Sequence, residues 1–112
     1  MTNKKPLRQD HKLTVTVRVE PGCLGPDGDA HIEAFCRFAQ GALEGIDALF
    51  VHWLFVPRHD KSLPETQYEV SGKKLSVAMA TRYLELFGRR FDDFEEHIHE
   101  RLGELVEQYM GR

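Results

Sequence analysis

Two cysteines, Cys23 and Cys36, are all that 112 residues contain, too few for the disulfide framework of a small secreted domain. Both are expected to be free thiols. No CxxC pair occurs, so the strongest sequence signature of structural zinc is missing. No apolar run approaches the roughly 18 residues that cross a bilayer, and the first twelve residues lack the apolar centre of a signal peptide. A cytoplasmic protein without a membrane partner is the expectation. A strong excess of charge is also lacking: the formal net charge is −3 and the pI is near 6.0. Without a basic field, binding to nucleic acid would lose its main electrostatic term.

What is present reads as one domain, because a chain of this length divided in two would leave each half short of core. Residues 1–11, MTNKKPLRQDH, are polar and read as a flexible N-terminal tail. Residues 12–112 read as a single α+β domain. In LTVTVRVE, Leu13, Val15, Val17 and Val19 alternate with polar residues, the period of a strand with one buried face. A glycine-rich loop then leads to a helix from about Asp29 to Glu44, with Ile32, Phe35, Cys36, Ala39 and Leu43 on one side. Gly45 stands where a left-handed closing residue belongs. Gly41 inside the helix costs about 1 kcal/mol against alanine, which a close approach to the sheet would justify.

The second strand, LFVHWLFVP, is apolar on both faces; the third, TQYEVSG, alternates again, and KKL adds a short extended piece. Ser76 then caps a helix bearing Ala80, Tyr83, Leu84 and Phe87 on one stripe, which Gly88 closes or bends. A last helix begins near Asp92 or Asp93, where Asp92 with Glu95, or Asp93 with Glu96, resembles a capping box. Its apolar face is Phe94, Ile98, Leu102, Leu105 and Tyr109.

The element order is therefore β-α-β-β-α-α. A hairpin of the second and third strands, with the third inserted beside the first, gives a three-stranded mixed sheet of order 1-3-2. That is a split β-α-β unit, a truncated ferredoxin-like arrangement. Order 1-2-3 is the alternative. In either, one apolar face of the second strand is left over. Val51, Trp53 and Phe55 are placed in the core, and Phe50, His52, Leu54 and Val56 are left as the candidate binding surface, because bare apolar patches mark interaction sites.

Other residues carry chemistry less convincingly. Cys23 is the candidate nucleophile, since helix-terminal amides favour a thiolate, but Asp27 and Asp29 oppose it and Pro-Gly turns explain the loop. The same loop lacks a Walker lysine and GxGxxG spacing for phosphate. Arg58, His59, Asp60 and Lys61 form a possible ligand loop. Arg82, Arg89, Arg90, Lys73 and Lys74 make the one basic cluster of the folded part, which can face the acidic last helix of the same or another subunit. No cofactor and no metal are expected. The sequence thus predicts a self-associating or partner-binding module, with a homodimer as the default assembly. A thiol-dependent enzyme or ligand-binding protein built on the Cys23 loop is the alternative.

Overall fold

The computed structural model describes residues 11–111; apart from His11, the expected N-terminal tail lies outside them. Alternation governs most of the first strand: β1 (Leu13–Val19) buries Leu13, Val15, Val17 and Val19, and Thr16 on the opposite face is buried as well. It pairs in parallel with β2 (Val51–Pro57) and antiparallel with β3 (Thr66–Val70), and β3 carries a two-residue β4 (Lys73–Lys74) on its far side. The sheet is mixed, with order β2-β1-β3-β4.

This corrects the expected strand order. Among the described residues the sheet has four strands, not three, and β1 is inserted between β2 and β3 instead of β3 between the others. The connection explains the difference. Residues 58–65 cross the end of β1: the Arg58 amide donates to Val19 O at 2.8 Å, and the Arg18 amide to Glu65 O at 2.7 Å. Both ends of the loop are anchored on β1. An eight-residue connection easily bridges the roughly 10 Å of two strand spacings, so β2 and β3 need not be neighbours.

The helices α1 (Gly28–Leu43) and α3 (Phe91–Met110) join the inward side of the sheet in one core. From α1 come Ile32, Phe35, Ala39 and Leu43; from α3 come Phe94, Ile98 and Leu105. Phe94 stacks on Trp53 at 5.6 Å between centroids, and Phe91 meets Tyr68 at 5.5 Å. The Tyr68 hydroxyl donates to the Glu95 carboxylate at 2.7 Å. Between them, α2 (Val77–Leu86) is tied to the end of the sheet where β1 and β2 begin: Tyr83 donates to His11 O and Phe87 stacks on Phe50 at 4.3 Å.

Helix ends follow the sequence in part. Ser76 caps α2 by accepting from the Met79 amide at 3.2 Å, and Gly88 closes it at φ 74°. The chain therefore breaks there and no single long helix forms. For α3 the capping position belongs to Arg90, so Asp92 and Asp93 lie in the first turn and make no capping box. They still favour that end through the helix dipole. Two glycine expectations fail. Gly45 is not left-handed; Asp47 takes the positive φ of 51° two residues later. Gly41 has open space about it, whereas a Cβ on Gly28 would lie 1.8 Å from the Pro21 carbonyl oxygen. The glycine required by close approach is at the start of α1.

Candidate binding surface

Successive side chains of β2 go to opposite faces. Val51, Trp53 and Phe55 are buried, His52 and Val56 half-buried, and Leu54 is 38% exposed. Strand register sets their neighbours. His52 lies beside Thr14 and Thr14 beside Glu69; Leu54 lies beside Thr16 and Thr16 beside Gln67; Val56 lies beside Arg18. Three polar members of these rows, Arg18, Gln67 and Glu69, are linked. The Arg18 guanidinium donates to Pro64 O at 2.8 Å and to Gln67 Oε1 at 3.1 Å, and Gln67 Nε2 donates to Glu69 Oε2 at 2.8 Å. Beside this linked set lie His52, Leu54 and Val56 of β2, of which Leu54 is the most exposed.

Phe50 does not belong to that surface. It is 5% exposed, with the Phe87 ring parallel above it and the Arg89 guanidinium 5.7 Å from its ring centre. The surface reduces to His52, Leu54 and Val56.

The free edge of β2 is occupied by a residue the sequence reading passed over. Gln40 Nε2 donates to Trp53 O at 2.7 Å, and Gln40 Oε1 accepts from the Phe55 amide at 3.0 Å. A residue of an adjacent parallel strand bonds the carbonyl before and the amide after its opposite number in the same way. The available signal was a polar residue at helical spacing between Cys36 and Leu43, on the border of the buried stripe. Further along, Pro57 has no amide to offer. At the other edge β4 is two exposed lysines long. Both edges are thus blunted against strand addition.

The charged loop after β2 is spent on itself. Arg58 Nη1 pairs with Glu20 at 2.7 Å, its Nη2 donates to Lys61 O and Leu63 O, and Lys61 reaches Glu20 at 3.7 Å. Arg58 Nε is buried without a partner. Asp60 accepts from the Ser62 hydroxyl at 2.6 Å and from the Ser62 amide at 2.9 Å. Those bonds, the hydroxyl's first, hold its carboxyl below the ordinary range. His59 lines an open groove of about 490 Å³ that it shares with Glu33, Cys36, Arg37, Gln40, Phe55 and Pro57. Cys36 is no nucleophile there: burial, then the Glu33 charge, pushes its thiol up to about 11.

Cys23 is exposed, in a short turn (Pro21–Leu24) before α1. His31, from the first turns of α1, lines the same cavity of about 410 Å³, together with Asp27 and Met110. Among the described residues no three of His, Cys, Asp and Glu converge as a metal site, and no helix is long and apolar enough to cross a membrane. In comparison with known proteins, no family model, curated protein or solved structure matches this chain.

Proposed function

We propose that the protein is a binding module, and that the sheet face centred on Leu54 takes a partner protein. The observation that carries this is Leu54 itself, 38% exposed on a face where Arg18, Gln67 and Glu69 are bonded to one another. The blunted edges add support: with strand addition blocked, contact through this sheet uses its side chains. Dimensions bear on the occupant. Three strands about 4.8 Å apart and about 20 Å long give a face of roughly 300 Å². Each subunit of a stable dimer buries roughly 800 Å². The face therefore suits one amphipathic helix of a partner, about 10 Å wide, better than face-to-face packing of two copies. The free thiols Cys23 and Cys36 support placing the protein in the reducing cytoplasm.

A photoreactive side chain at position 54 tests the reading. One or a few discrete adducts are expected on irradiation in cells, and none of them from the same group at exposed Glu100. Identical adducts at both positions, or none at 54, would overturn it.

One observation favours a second reading, thiol chemistry at Cys23: His31 lines its cavity. With His31 acting as a base in that cavity, alkylation of Cys23 is expected to be slower in His31→Ala than in the wild type. A rate that follows an ordinary peptide thiol in both proteins would sink that reading.

A further inference from the structure

The segment from Lys73 to Arg90 holds five cationic side chains against the single carboxylate of Glu85. The helix that follows, α3, is the reverse: seven carboxylates against the single cation of Arg101. The two do not neutralise each other within the molecule. Among the described residues, Arg89 pairs with Asp47 and Arg101 with Glu104, and no ion pair joins the basic segment to α3. Asp92, Glu96, Glu100 and Glu104 remain exposed, as do Lys73, Lys74, Arg82 and Arg90.

Apolar exposure concentrates in the same place. Of the six large hydrophobic residues exposed among the described residues, three lie on the ten residues of α2: Val77 at 64%, Met79 at 54% and Leu86 at 79%. Met79 and Leu86 are seven residues apart and share the outward side of the helix with Arg82. Leu86, 79% exposed and between Arg82 and Arg89–Arg90 in the chain, gains from cover by an acidic surface. This chain carries such a surface next to it.

We infer that the partner of the α2 surface is a second copy of this chain, docking the acidic outer side of its α3 over Met79, Arg82 and Leu86. Because α2 and α3 are consecutive and packed together, a twofold axis makes the contact twice, α2 on the partner's α3 and α3 on the partner's α2. Such an isologous arrangement closes at two subunits. It uses a surface separate from Leu54, and so leaves the sheet face of each subunit free for another protein.

The mass of the full chain by sedimentation equilibrium tests this. The wild type is expected to dimerise, and more weakly as salt rises from about 50 mM to about 500 mM, since exposed charges are screened. Leu86→Glu, on a residue too exposed to matter for folding, is expected to weaken the dimer by on the order of tenfold or more. Leu86→Lys, which meets the acidic helix with the favourable sign, is expected to weaken it far less. Leu54→Asp is expected to leave the dimer intact. A monomer throughout the accessible concentration range, or equal losses in Leu86→Glu and Leu86→Lys, would overturn the inference. A dimer dispersed by Leu54→Asp and not by Leu86→Glu would do so too, and would move self-association to the sheet face.

Discussion

The carboxamide of Gln40 fills a donor and an acceptor position that a parallel neighbour of β2 would otherwise occupy. Its two ends are not equivalent: the nitrogen faces a carbonyl and the oxygen faces an amide. A carboxylate in its place accepts from Phe55 but confronts the lone pairs of Trp53 O. Gln40→Glu is therefore expected to cost about 1–3 kcal/mol at pH 7. The new carboxyl is easier to protonate in the folded chain, where it can donate to Trp53 O, than in the unfolded one. Its folded-state pKa is thus the higher, and stability returns as pH falls through it. Urea unfolding of variant and wild type at neutral and mildly acidic pH measures the difference, and an equal deficit at both would show that Gln40 is not a donor to the edge. Gly28 makes a similar point about spacing. Its missing Cβ leaves room for Pro21 O, a requirement that no glycine count reveals.

Among the elements, α2 depends most on its ends. Ten residues are too few to be stable alone, and it holds with Ser76 at one end and Gly88 at the other. Ser76→Ala is expected to lower the unfolding free energy by about 1 kcal/mol, and Ser76→Thr by less, because threonine keeps the accepting oxygen. Denaturant midpoints for the pair decide it; equal losses would mean that the cap is idle. These ends were legible in the sequence, as were the faces of β1 and α1, because caps and periodicity are local. Strand neighbours were not. The alternation in β1 reports which side is buried and is silent on what lies at its edges, which here is decided by where residues 58–65 are pinned. The expected order 1-3-2 placed β2 at an edge beside β3; it does lie at an edge, but beside β1, with Phe87 over Phe50 and Gln40 closing its backbone. The loop charges looked available for a ligand for the same reason: Glu20, which engages Arg58, is distant in the chain.

At the scale of the whole molecule, the buried titratable groups make stability depend on alkali. Cys36 is 4% exposed, and burial, then Glu33, raises its thiol from 9.0 to about 11. Tyr68 is raised by burial first and by its bond to Glu95 second; Tyr83 is raised by burial, against the Leu13 backbone contact. A group whose folded-state pKa is raised contributes its full stability below the unfolded value and loses it as pH climbs towards the folded one. Stability is therefore expected to hold up to about pH 9 and to fall beyond it, first through Cys36 and then, above about pH 10, through Tyr68 as well. For Cys36 alone the loss between pH 9 and pH 11 amounts to about 2 kcal/mol. Cys36→Ala lacks that component, so its unfolding free energy, whatever its starting value, should be flatter from pH 9 to pH 10 than the wild type's. Tyr68→Phe should keep the early decline and lose part of the later one. Urea unfolding across this range separates the two slopes. A wild type as stable at pH 11 as at pH 8, or a Cys36→Ala curve parallel to it throughout, would mean that water reaches these groups in the folded protein and that the core around α1 is looser than its packing implies.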